Sequence, residues 1–87
     1  MNKKELDLVL ARCMNITQVE AKRLTNALFD IMIEEISAGV SVKITGFGSF
    51  YIRQKLQGLF RRRITFRPGK TLKAHVKEKD GERKETE

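Results

Sequence analysis

The segment from Gln18 to Ala38 is apolar on too many sides for the chain that contains it. Thr17-Gln-Val-Glu20 has the spacing of a capping box, in which the threonine oxygen takes the Glu20 amide and Glu20 reaches back. Gly39 stands where a helix stop is expected. Between these signals Ala21, Leu24, Leu28 and Ile31 form one helical stripe. Phe29, Met32, Ile33 and Ile36 form a second, angularly displaced. A surface helix buries one narrower stripe. A helix apolar over this width belongs in a large core, which 87 residues do not supply. It is therefore expected to pack on its own neighbours and on a second subunit. Other staples are missing. The one cysteine, Cys13, excludes an internal disulfide, and Cys13 with the single His75 does not make a zinc site. Cys13 is expected to be a buried helix residue.

The remaining elements follow from periodicity and punctuation. Asn2 caps a first helix over residues 3–13, with Leu6, Val9, Leu10 and Cys13 at helical spacing, and Asn15 ends it. Val40 to Ile44 alternates as a short strand, and Gly46-Phe47-Gly48 is a tight turn. Ser49 to Leu56 and Phe60 to Phe66 read as two further strands around a Gln57-Gly58 turn, closed by Pro68-Gly69. Lys70 to Lys77 reads as a short final helix with Leu72 and Val76 on one face. Residues 78–87 hold no apolar side chain and read as a charged tail, disordered or a frayed helix end. The expectation is one α+β domain over residues 1–77. No apolar run reaches membrane-spanning length, and Lys3, Lys4, Glu5 and Asp7 break up the N-terminus as a signal segment. With a lone cysteine, this points to a reducing cytoplasm.

Charge is distributed unevenly. Residues 1–35 carry five Lys/Arg and six Asp/Glu, whereas residues 36–77 carry ten Lys/Arg and no acid. A solvated surface mixes signs, so a stretch this one-sided implies a polyanionic partner. An anionic membrane fits less well, because the stretch is not an amphipathic helix.

Strand register can be argued from side-chain matching. Phe50 opposite Phe66 sets Ile52 against Ile64, Gln54 against Arg62 and Leu56 against Phe60 on one side of a ribbon. The other side then holds Tyr51 with Thr65, Arg53 with Arg63, and Lys55 with Arg61. One face is largely apolar and the other cationic. A slip of one residue would mix the faces, which a half-buried sheet disfavours. Like charges directly opposite each other are destabilising, so phosphates are the natural counter-charge. Nothing resembles a helix arranged to read base edges, so weak sequence preference is expected.

Several ordered segments carry a family resemblance: Met-Asn-Lys-Lys-Glu-Leu at the start, Asn15-Ile-Thr, Gly46-Phe-Gly-Ser-Phe50 and Phe66-Arg-Pro-Gly-Lys70. Over residues 1–77 the chain resembles the bacterial HU and integration host factor proteins. The resemblance implies an intertwined dimer with an α-helical base and an antiparallel β-sheet saddle on DNA. It assigns Phe47, Phe50 and Phe66 to an aromatic core. It places Arg53, Lys55, Lys70, Lys73 and Lys3 at positions that approach the DNA backbone. Arg61, Arg62, Arg63 and Arg67 are added as DNA-binding residues on their chemistry. Family members extend the two strands into long arms whose tip proline wedges between base pairs. Here the chain turns back at Gln57-Gly58, and the only proline, Pro68, precedes the last helix. Leu59 and Phe60 are expected to pack the shortened hairpin.

The expected function is duplex DNA binding by a homodimeric architectural protein with reduced wrapping and bending. The alternative is a protein-interaction role, as heterodimer partner of a full-arm HU-like protein, with DNA binding secondary. RNA is a third option that Tyr51 and the basic face permit, though no platform of several aromatics is evident. No cofactor, metal or small-molecule substrate is implied. No catalytic constellation is seen: His75 has no cysteine or carboxylate partner in its helix, and Gly46-Phe-Gly48 lacks the helix of a phosphate-binding loop.

Overall fold

A computed structural model describes residues 1–54 and 62–82. The elements run α1 (Lys3–Met14), α2 (Gln18–Ser37), β1 (Val42–Ile44), β2 (Gly48–Gln54), β3 (Arg62–Pro68) and α3 (Lys70–Glu82). They fall into two compact units, Met1–Glu34 and Glu35–Glu87.

In the first unit, both helix starts are closed by reciprocal side-chain bonds. The Asn2 side chain accepts from the Glu5 amide at 2.9 Å, and Glu5 accepts from the Asn2 amide at 2.9 Å. Thr17 and Glu20 repeat the pattern at 3.1 and 3.0 Å. Each box satisfies two amides that the helix cannot. Asn15 ends α1 in the left-handed region at φ 56°, as its short polar side chain allows. Where α1 meets α2 the contact is polar as well as apolar. Asp7, Ala11, Ala21 and Thr25 are the buried residues. The Thr25 hydroxyl donates to Asp7 Oδ1 at 2.5 Å, and the Lys3 ammonium donates to Asp7 Oδ2 at 2.9 Å. Asp7 is thus a paired charge rather than an orphan, as burial of a carboxylate requires.

Two sequence expectations need correction here. Cys13 is exposed. The covered side of α1 runs through Asp7 and Ala11, and Cys13 lies two residues, about 200°, round the helix from Ala11. The boundary set at Lys77 also moves: the final helix continues to Glu82, so residues 78–82 take the helix-end reading of that segment and not the disordered one. Propagating an existing helix needs no apolar face, and Glu and Lys are good helix formers. Residues 83–87 lie outside the described ones.

In the second unit the sheet order is β1-β2-β3, antiparallel throughout. The register sets Phe50 against Phe66, Ile52 against Ile64, Tyr51 against Thr65, Arg53 against Arg63 and Gln54 against Arg62, as side-chain matching required. Pairs beyond Gln54 and Arg62 involve residues outside the described ones, as do Leu59 and Phe60. The third strand extends to Pro68, opposite Gly48. Phe47, Phe50 and Phe66 form one aromatic cluster, with ring centroids 4.7 to 6.4 Å apart in tilted pairs. A side chain at Gly48 would sit 2.5 Å from the Phe66 ring and 2.6 Å from the Arg67 carbonyl oxygen. The second glycine of the Gly46-Phe-Gly48 turn is therefore required by packing.

Among the described residues no large side chain is fully buried. In one stripe of α2 Ala21 is buried but Leu24, Leu28 and Ile31 are each more than half exposed, and in the other Phe29, Met32 and Ile36 are partly covered while Ile33 is exposed.

Two outcomes follow. Gly48→Ala forces a methyl against Phe66 and backbone. It should lower stability by about 1–3 kcal/mol, read from the denaturant midpoint. Asp7 is a pH-sensitive tie. The Thr25 hydroxyl, then the Lys3 ammonium, hold its carboxyl below the ordinary 3.8, outweighing the opposing effect of burial. Its stabilising contribution is present above pH 3.8 and is lost as pH falls through the lowered native value. Thr25→Val should weaken the protein at neutral pH and flatten this acid dependence, as followed by denaturant unfolding at both ends of the range. An unchanged acid dependence would contradict the tie.

Candidate nucleic-acid interface

The sheet register decides which basic side chains share a surface, because successive strand residues point to opposite faces. Val42, Phe50, Ile52, Ile64 and Phe66 fall on one face. Lys43, Ser49, Tyr51, Arg53, Arg63, Thr65 and Arg67 fall on the other. Two transverse rows organise the polar face. Lys43, Ser49 and Arg67 are aligned across all three strands, and Arg53 lies directly opposite Arg63. Between them sits the Tyr51–Thr65 pair. All four cations are exposed, while Ser49, Tyr51 and Thr65 are partly covered. The result is a strip of three hydroxyl-bearing residues framed by cations. Hydroxyls donate and accept, cations neutralise, and no carboxylate belongs to any of the three strands. That chemistry suits a sugar–phosphate surface.

Lys43 was not among the residues singled out from the sequence. Its signal was available: the apolar Val42 and Ile44 flank it on one face of an alternating strand, so it falls on the other. Which polar row it joined depended on the pairing of β1 with β2.

The beginning of α3 is fixed to the turn between β1 and β2. The Gly69 amide donates to the Phe47 carbonyl at 2.9 Å, and the Leu72 amide donates to the Gly46 carbonyl at 3.0 Å. A side chain at Gly69 would come within 3.2 Å of the Gly46 backbone. This close approach explains why the two glycine motifs occur together. It also orients α3, on which Lys70, Lys73 and Lys77 recur at i, i+3 and i+7 and so share a face. All three are exposed. His75 is exposed as well, with Nδ1 2.9 Å from the Thr71 carbonyl oxygen.

The other expected site residues are distributed differently. Lys55 and Arg61 lie outside the described residues. Lys3 belongs to the first unit, where it is paired with Asp7. Arg62 falls on the face of Ile52 and Ile64, opposite to Arg63, and its guanidinium donates to the Ser37 carbonyl at 2.6 Å. Proximity in sequence to Arg61 and Arg63 therefore says little about its role.

Comparison with known proteins agrees with the geometry. The family described as "Bacterial DNA-binding protein" matches residues 1–61. The DNA-binding protein HU of Xylella fastidiosa is 35% identical over 94 residues, covering 93% of this chain and all of the relative. A V42I mutant of HU from Thermotoga maritima superimposes with a TM-score of 0.78 at 33% identity, covering 87% of this chain and 99% of that one. HU of Anabaena, in a cocrystal with DNA, superimposes with a TM-score of 0.75 at 28% identity, covering 87% and 97%.

Proposed function

The chain belongs to the bacterial DNA-binding protein family of HU and integration host factor, and on that footing we propose that it binds duplex DNA as a homodimeric architectural protein, with weak sequence preference and little bending. The observation that carries the reading is the cationic sheet face of Lys43, Arg53, Arg63 and Arg67. Like charges paired across strands cost stability unless a counter-charge meets them. Phosphates are that counter-charge, and their contacts carry no base information. Lys70, Lys73 and Lys77 extend the basic surface along α3. A second copy of the chain covers the exposed Leu24, Leu28 and Ile31 of α2, whose burial a stable fold of this size needs.

Limited bending follows from the length of the arm. The last described pair of the ribbon is Gln54 with Arg62. The seven residues 55–61 join these two ends. Eight steps along the chain cover the way out and back, so the link can reach at most about 14 Å past that pair. The match to Xylella HU spans 94 positions, more than the 87 residues present here, and takes in the whole relative. That relative therefore carries residues with no counterpart in this chain. Residues 55–61 also contain no proline, so this stretch offers no ring to wedge between base pairs. The protein would then coat duplex in the cytoplasmic nucleoid rather than fold it sharply.

Salt titration of duplex binding tests the first part. About six neutralised phosphates predict a log–log slope near −5, at roughly −0.9 per contact. A flat response would remove the interface. Bending is tested by ring closure of short duplexes. The expected result is closure little faster than for free DNA, and strong acceleration would show that the short hairpin still kinks its target.

A further inference from the structure

Arg62 has the composition of a phosphate ligand, being the middle residue of Arg61-Arg62-Arg63 and Gln54's partner at the last described step of the ribbon. Its actual partner is a helix end. A helix leaves its final carbonyls without intrahelical donors. At the end of α2 two of these are met by the following backbone. The Gly39 amide donates to Ile36 and the Val40 amide donates to Glu35, each at 2.9 Å, with Gly39 left-handed at φ 86°. The Ser37 carbonyl is next in line, and it receives the Arg62 guanidinium at 2.6 Å across 25 residues of sequence. The last turn of α2 contains no base of its own, and its sequence ends Glu34-Glu35-Ile-Ser37. The negative end of the helix dipole therefore meets a cation supplied by β3.

We propose that Arg62 is a positioning residue. It ties the ribbon at the Gln54–Arg62 pair to the end of α2, and so orients the cationic face without neutralising a phosphate itself. Two features support this beyond the bond. Arg62 lies on the opposite face of the ribbon from Arg53 and Arg63. The carbonyl it meets is the one that the backbone closure at Gly39 and Val40 leaves open. The role in orientation rests on the DNA-binding reading, whereas the tie to Ser37 does not.

The test compares Arg62→Ala, Arg62→Gln and Arg63→Ala in the full chain, with salt titration of duplex binding and amide exchange of the free protein. For Arg62→Ala the expected result is an unchanged salt slope, an affinity loss of about 2–5-fold at fixed salt, and faster exchange of the Gly39 and Val40 amides. Arg62→Gln, which keeps an N–H donor and loses the charge, should keep the slope and recover part of the affinity. Arg63→Ala should reduce the slope by about 1.8, two side chains per dimer. A slope reduction of that size in either Arg62 variant would overturn the proposal. If Arg63→Ala also leaves the slope unchanged, the DNA interface itself is misplaced. The exchange measurement, made without DNA, still decides the tie: acceleration supports it, and unaltered exchange refutes it.

Discussion

The antiparallel register of β2 and β3 governs nearly everything that follows in this protein. With Phe50 opposite Phe66, every second residue of both strands is assigned to a face. The aromatic cluster of Phe47, Phe50 and Phe66 forms on one side, and Arg53, Arg63 and Arg67 gather on the other. Shifting one strand by a residue would set phenylalanines against the polar row and arginines against the rings. The aromatic packing holds the register, and the register builds the cationic surface. Repulsion between Arg53 and Arg63 is the local cost, and it is the feature that makes a polyanion a favourable partner.

Glycine acts twice in this unit, by different means. Gly48 is needed because Phe66 and the Arg67 carbonyl occupy the space where a Cβ would stand. Gly69 lets the start of α3 approach the Gly46–Phe47 turn closely enough for two backbone hydrogen bonds. Those bonds satisfy donors at the beginning of α3 and fix the direction of its lysine stripe. The same chain segment thus completes the hydrophobic cluster and positions part of the charged surface.

Charge at the helix ends follows a related logic. Glu5 and Glu20 lie in the first turns of α1 and α2, where carboxylates are favoured, and each also closes its capping box. The far end of α2 carries glutamates instead of bases, and Arg62 provides the missing cation from elsewhere in the fold. Basic residues in this chain consequently serve three ends: Lys3 neutralises Asp7, Arg62 meets a helix terminus, and the polar face of the sheet remains open to solvent.

Local and periodic information was enough for much of the fold. The Thr17–Glu20 capping box, the Asn2 cap, the left-handed Asn15, the Gly39 stop and the hairpin register are legible because each depends on neighbours in sequence or on period-two matching. The cationic face was legible for the same reason, through Arg53 opposite Arg63. Tertiary structure decided the rest. Burial on α1 passed to Asp7 and Ala11 rather than Cys13, since packing against α2 sets which side of a helix is covered. Lys43 joined the polar face only through pairing of β1 with β2. Among three consecutive arginines, the structure separates Arg62 from Arg63 by giving it the Ser37 carbonyl. Sequence alone specified how many positive charges this protein has, but where each one points depends on distant residues that only folding brings within hydrogen-bonding reach.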